Sequence, residues 1–239
     1  MTVFLLSETL RFPRPDLADP DGLLAVGGDL TPERVLLAYQ MGIFPWYAND
    51  TPILWWSPDP RLVLFPDELK VSKSLQRVMA KGVFTVTVNR AFRDVIEQCA
   101  VAPRGTGEGT WLVPGMIEAY CKLHQLGYAQ SVESWHEGAL VGGLYGIALG
   151  RVFFGESMFT LKSDASKVAL VYLVKLLQAA QFEVIDCQVT TRHLQSLGAR
   201  EIPRQEFLAH LSMALDGEDL HPRPEKFAAA ALIRSSWDS

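Results

Sequence analysis

Asp186 and Gln188 stand two residues apart in the segment IDCQVTT, which follows an apolar helix pattern and leads into a turn. As a strand, this segment puts both side chains on one face, because successive residues alternate. A carboxylate beside an amide in a core strand is costly unless each finds partners. Two readings meet that condition. One is a polar pair satisfied by backbone groups; the other is a site in which the amide binds a polar substrate group and the carboxylate handles charge or a proton. A second carboxylate, Glu156, lies in VFFGESMF, where alternation aligns it with Phe154 and Met158. From an adjacent strand it would hold a substrate or orient Gln188.

Other chemistries fit the residues less well. Cys187 alternates away from Asp186 and Gln188 and has no His in its motif, so it reads as core packing rather than a nucleophile. Ser157 in GESMF lacks the second glycine of a nucleophile elbow. The histidines at 124, 136, 193, 210 and 221 show no ligand spacing, and Cys99, Cys121 and Cys187 form no CxxC pair, so no metal is expected. The unpaired cysteines fit a reducing compartment. With 239 residues, 49% of them hydrophobic and 21% charged, the chain has ample core for one large or two modest domains. A formal net charge of -5 argues against a general nucleic-acid coat but leaves room for a local basic patch. The N-terminal segment has no basic start, long apolar stretch or cleavage site, so a cytoplasmic location is expected.

These side chains need elements to position them. Residues 1–65, rich in Pro, Gly and Trp, read as a small N-terminal α/β domain with one helix, which starts at Thr31 with Pro32 in its first position and ends near Gly42. Residues 66–239 hold the rest, including a short tail after HPRPEKF. A helix over about residues 70–81 would carry Lys70, Lys73, Arg77 and Lys81 on one face. Next come a strand at 84–89, helices at 91–100 and 114–126, and an antiparallel meander of strands at 130–135, 139–149 and 152–159. A long apolar helix over 164–180, with Ser163 as N-cap, leads to the IDCQ strand. A short helix ending at Gly198, a strand at 200–202 and a helix from Arg204 complete the order. By analogy this is the order of the GNAT acyltransferase fold, an α+β domain with a mixed, mostly antiparallel sheet. A coenzyme A enzyme of that fold needs a Gly-rich pyrophosphate turn where GESMFTLKSDASK stands, and no glycine cluster is there. The run Gly105-Thr-Gly-Glu-Gly109 follows Pro103-Arg104 rather than a strand, so it reads as a flexible or ligand-covering loop.

The segments GLLAVGGDL, GIFPWY, LWWSPDPR, EGTWL, LVGGLYG, FFGESMF, DASK, IDCQ and SLGAREIPR, in this order from Gly22 to Arg204, resemble the bacterial leucyl/phenylalanyl-tRNA-protein transferase family. The resemblance implies a GNAT-like catalytic domain. It also implies an enzyme that moves Leu or Phe, with Met a further option, from aminoacyl-tRNA to the N-terminal amine of proteins beginning with Arg or Lys, marking them for degradation. No cofactor, metal or membrane partner is implied. In that reaction Gln188 would hydrogen-bond the attacking amine or the ester, Asp186 would accept or relay its proton, and Glu156 would hold the acceptor or orient Gln188. The resemblance assigns Leu144, Phe153, Met158, Leu170 and Ile185 to the amino-acid pocket. Leu173 and Leu177 continue that helix face where the family carries aromatic residues. Trp111 and Trp46 are the expected stacking platforms for the terminal adenosine, and the basic stripe would grip tRNA phosphates. Two other functions stay open: a coenzyme A-dependent N-acetyltransferase and a non-catalytic tRNA-binding module.

Overall fold

The computed structural model describes residues 3–102 and 112–216. Trp111, His221 and the glycine run at 105–109 lie outside the described residues. The N-terminal part forms short strands around aromatic packing: β1 (Phe4–Leu6), β2 (Leu23–Gly27), β3 (Phe44–Pro45) and β4 (Leu54–Trp56), in the spatial order β1-β2-β4-β3. Helix α1 (Pro32–Gln40) lies between β2 and β3, with Thr31 at its N-cap and Pro32 at its first position, where the missing amide hydrogen is no loss. Gly42 turns the chain out of α1 with φ 71°, and a Cβ there would come within 2.6 Å of Leu208.

Seven strands build the larger sheet: β5 (Arg61–Leu64), β6 (Thr85–Val88), β7 (Ala129–His136), β8 (Ala139–Leu149), β9 (Val152–Thr160), β10 (Val184–Gln188) and β11 (Arg200–Ile202). Their order is β11-β5-β10-β9-β8-β7-β6. The helices α2 (Lys73–Ala80), α3 (Phe92–Val101), α4 (Pro114–Gln125), α5 (Ala165–Ala179), α6 (Arg192–Ser196) and α7 (Arg204–Leu215) join them. Glu137 and Gly138, both at positive φ, close the β7–β8 hairpin in the conformation that matches strand twist. Because α5 crosses over between β9 and β10, these two strands run parallel; the other pairs in the sheet are antiparallel. The observed order agrees with the GNAT-like order read from the sequence. Strand β5, on the N-terminal side of the boundary expected at residue 65, is hydrogen-bonded to both β10 and β11.

Each face of this sheet is covered by its own apolar layer. On one side α5, through residues such as Leu170, and α2, through Leu75, join Leu144, Phe153 and Ile185 of the sheet. On the other, α1, α3, α4 and α7 join residues of the small sheet over Tyr145, Phe154 and Val184. Two local expectations are corrected. The basic helix runs only over Lys73–Ala80, because Ser72 caps it by accepting from the Leu75 amide, so Lys70 precedes the helix and Lys81 sits at its C-cap. All four basic residues remain exposed. The N-cap of α5 is Asp164 rather than Ser163; it adopts φ 69° and pairs with Lys167 at 3.0 Å. Among the described residues, no helix is long and apolar enough to cross a membrane, and no group of three or more potential ligand side chains could hold a metal ion.

The glycines of LVGGLYG let α5 lie directly on β8. A Cβ on Gly142 would come within 2.5 Å of the Ala165 Cβ. Gly142→Ala is therefore expected to lower stability by about 1–3 kcal/mol in urea unfolding, the usual cost of overpacking a close contact. An unchanged midpoint would show that α5 is free to shift.

Candidate active site

Strands β9 and β10 pair only as far as Asp186 opposite Phe154, and then part. A cavity of about 610 Å³ opens beyond that point. Its apolar wall comes from Leu144, Phe153, Met158, Leu170, Leu173 and Ile185; its polar wall is Glu156 and Gln188, with Ser157 and Cys187 beside them. Trp46, Val189, Thr191 and His193 form the rim. Trp46 is 41% exposed and leans on Trp56 at a ring separation of 5.8 Å. The pocket residues expected from the sequence thus converge, and Leu173 joins them, whereas Leu177 is not among the lining residues.

Two strand irregularities shape the polar wall. In β9, Ser157 pairs with Tyr145 and Gly155 with Gly146, so Glu156 is an extra residue. This bulge corrects the alternation expected for Glu156: Met158 lines the cavity beside Phe153, while Phe154 packs on the opposite layer. In β10, Asp186 and Gln188 oppose the adjacent residues Val63 and Leu62, and Gln188 takes φ 62°. Asp186 and Gln188 therefore do not share a face as alternation had implied. Gln188 and Cys187 line the cavity, and Asp186 turns inward, away from the lining residues.

What Asp186 turns toward is Arg61. Arg61 Nε donates to Asp186 Oδ1 at 2.8 Å and Nη2 to Oδ2 at 2.6 Å, and both side chains are 0% exposed. The Gln188 backbone amide donates to the same Oδ1 at 2.9 Å, an Asx-type bond that supports its left-handed conformation. A further donor of Arg61 reaches the turn after α1: Nη1 donates to Gly42 O at 3.1 Å. Its guanidinium lies over the rings of Phe44, at 4.9 Å, and Phe207, at 4.6 Å. A fork with fixed donors suits a planar carboxylate better than a lysine would.

Glu156 is held from three sides. Its Oε1 accepts from Tyr39 Oη at 2.7 Å and from Gln188 Nε2 at 2.8 Å, and its Oε2 accepts from Tyr120 Oη at 2.8 Å. Burial raises this carboxyl to about 7, against the three donor bonds that lower it, and nearby Asp186 adds to the rise. The Tyr39 and Tyr120 hydroxyls are pushed well above the usual phenol range, first by burial and then by the Glu156 charge. With Nε2 committed to Glu156, the Gln188 carbonyl is the end that can accept an N–H in the cavity. The Cys187 thiol is driven up by burial, away from the thiolate a nucleophile requires.

Sequence reasoning missed Arg61, Tyr39 and Tyr120. Arg61 ends the quoted WWSPDPR motif, so an arginine at the start of a strand was a visible signal of a buried carboxylate partner. The tyrosines gave none, since they come from α1 and α4, 81 residues apart.

Comparison with known proteins matches residues 63–212 to the family described as "Leucyl/phenylalanyl-tRNA protein transferase" and residues 28–59 to its N-terminal domain. A protein of that name from Syntrophobacter fumaroxidans is 68% identical over 212 residues, covering 89% of this chain and 91% of the relative. One from Anaeromyxobacter sp. (strain Fw109-5) is 59% identical over 223 residues, covering 93% and 95%. Among solved structures, a GCN5-related N-acetyltransferase from Kribbella flavida superposes with a TM-score of 0.34 at 14% identity, over 71% of this chain and 59% of the other.

The Arg61–Asp186 geometry carries its own test. Asp186→Asn leaves a buried guanidinium without its counter-charge, and is expected to cost about 3–5 kcal/mol in urea unfolding. The double change Arg61→Met with Asp186→Leu is expected to recover most of that stability but not activity. Equal loss in the single and double variants would contradict the pairing.

Proposed function

The chain belongs to the leucyl/phenylalanyl-tRNA-protein transferase family of aminoacyltransferases, and on that premise we propose that it works in the cytoplasm, where it transfers Leu or Phe from aminoacyl-tRNA to the free N-terminal amine of proteins beginning with Arg or Lys, marking them for degradation. The observation that carries this reading is an apolar cavity of about 610 Å³ with a glutamine amide and a carboxyl on one wall. The apolar part takes the aminoacyl side chain. Met158, unbranched and polarizable, adapts its wall to either a branched or an aromatic group. The ester then lies against Gln188, at the mouth between β9 and β10.

The reaction asks little of a base. An α-amine with a pKa near 7.7–8.0 is roughly a tenth to a sixth neutral at pH 7. Holding the amine and the ester together supplies much of the rate. Gln188 Oε1 accepts one amine N–H and aims the nitrogen lone pair at the carbonyl carbon. Asp186 acts through Gln188: both its oxygens are engaged by Arg61, and it fixes the Gln188 backbone, so we assign it a positioning part. Glu156, the acidic side chain among the lining residues, faces the cationic end of the acceptor. Trp46 at the rim offers a ring to the terminal adenosine, and the exposed Lys70, Lys73, Arg77 and Lys81 face the tRNA backbone.

Transfer of labelled Leu from Leu-tRNA to a peptide with N-terminal Arg is the deciding experiment, beside its N-acetylated twin and an N-terminal Ala control. The expected result is transfer to the free Arg peptide alone. Bound tRNA with its ester intact would favour a binding module, and binding of acetyl-CoA an acetyltransferase. The basic residues have a separate test. Lys73→Glu combined with Arg77→Glu is expected to weaken tRNA binding and reduce the slope of log affinity against log salt by about 2; an unaltered slope would remove them from the interface.

A further inference from the structure

Three oxygen-bearing side chains close a triangle behind the polar wall of the cavity. Tyr39 Oη lies 2.6 Å from Tyr120 Oη and 2.7 Å from Glu156 Oε1, and Tyr120 Oη lies 2.8 Å from Glu156 Oε2. Each of these contacts is at hydrogen-bond distance, so each calls for a hydrogen. A phenol carries one and an ionised carboxylate none. Two tyrosines therefore fill two contacts of the three. A proton on Glu156 fills the third: Oε2–H donates to Tyr120, Tyr120 donates to Tyr39, and Tyr39 donates back to Oε1. Oε1 still accepts from Gln188 Nε2 at 2.8 Å. When Glu156 ionises, both phenols turn to the carboxylate, and their oxygens face each other at 2.6 Å with no hydrogen between them.

We propose that Glu156, Tyr39 and Tyr120 form a ring that holds one exchangeable proton, and that this ring takes up the proton the acceptor's α-ammonium must lose before it attacks the ester. The inference rests on the reading of the cavity as an aminoacyl-transfer site. Glu156 and Gln188 both line the cavity, so an ammonium placed against the glutamine carbonyl also meets the carboxyl. One N–H proton passes to the ionised carboxylate and closes the ring. The freed lone pair forms the C–N bond to the ester carbonyl carbon. The bond from that carbon to the ribose oxygen breaks, and a second proton of the nitrogen goes to the ribose oxygen. The ring then returns its proton to solvent. An ammonium and an ester have become an amide, an alcohol and one released proton, so atoms and charge balance.

Glu156 is the group that exchanges the proton; Tyr39 and Tyr120 are positioning residues. The titratable groups facing this ring are Tyr39 from α1, Tyr120 from α4, Tyr145 from β8 and Asp186 from β10, the last neutralised by Arg61 of β5. Burial brings the carboxyl to about 7, close to the α-amine whose proton it takes, which is the condition for efficient transfer between them. Each phenol stabilises the ionised carboxylate, so loss of either hydroxyl moves the carboxyl further up.

The test titrates the full chain carrying 13C at its Glu carboxyl carbons, without substrate, from about pH 5 to about pH 9. The Glu156 signal is assigned by its loss in Glu156→Gln. The expected result is a midpoint of about 7 in the parent protein, moved up by about one pH unit in Tyr39→Phe or Tyr120→Phe. In single-turnover transfer of Leu to the Arg peptide, the acid limb of the rate profile is expected to move with it. A Glu156 signal that stays ionised down to about pH 5 would overturn the proposal. So would phenylalanine variants that lower transfer by one common factor at every pH with the midpoint unmoved. If the phenylalanine variants fail to fold, the parent titration alone decides. Absence of transfer by the parent protein would sink the functional reading and leave the ring to be judged on the titration.

Discussion

The Arg61–Asp186 ion pair is the contact on which the other features of the site depend. An isolated charge in a protein interior is expensive, and this pair is fully buried, so each partner fixes the other in place. Arg61 reaches from β5 to β10 while its Nη1 donates to Gly42 and its flat faces meet Phe44 and Phe207. One side chain thereby ties the turn after α1, the edge of the small sheet and α7 to the strand that carries the site. The two sheets share one continuous apolar layer around this point, which includes Trp55 and Tyr39 together with Phe154 and Val184.

From this anchor the cavity follows by backbone geometry. Asp186 accepts the Gln188 amide as well as Arg61, and the strand bulges so that Gln188 swings out of alternation. The β9 bulge does the same for Glu156. Two strands that would otherwise zip together separate, and the space between them is lined by apolar groups from α5 and the sheet with an amide and a carboxyl facing inward. In the proposed reaction Arg61 and Asp186 stay fixed while the proton moves among Glu156 and its tyrosines. The division of labour follows from what each carboxylate touches: both oxygens of Asp186 are held by Arg61, whereas Glu156, buried among phenols, is raised to about 7 by burial.

Much of the fold was legible in the sequence because it rests on local signals. The meander is announced by HEG and GR turns between alternating strands, α1 by Thr31-Pro32, and the crossover helix by an unbroken apolar run. The pocket residues were legible as well, through resemblance rather than periodicity. What failed was alternation at Asp186 and Glu156, because a bulge shifts the face of every residue beyond it and leaves no trace in the pattern of residue types. The tyrosines were illegible for a different reason. Tyr39 on α1 and Tyr120 on α4 meet Glu156 only after two helices pack on the sheet, and an aromatic on an amphipathic helix otherwise reads as ordinary core.

In the proposed reaction the cavity between β9 and β10 receives the aminoacyl group, with the nitrogen that becomes acylated against the Gln188 carbonyl. A crystal structure of the protein with an unreactive analogue, phenylalanine joined to adenosine through an amide, checks this placement. The phenyl ring is expected among Leu144, Phe153, Met158, Leu170 and Leu173, and the amide N–H of the analogue within hydrogen-bond reach of Gln188 Oε1, with Arg61–Asp186 unmoved. A phenyl ring bound outside this cavity, or an analogue amide N–H remote from Gln188 Oε1, would overturn this placement.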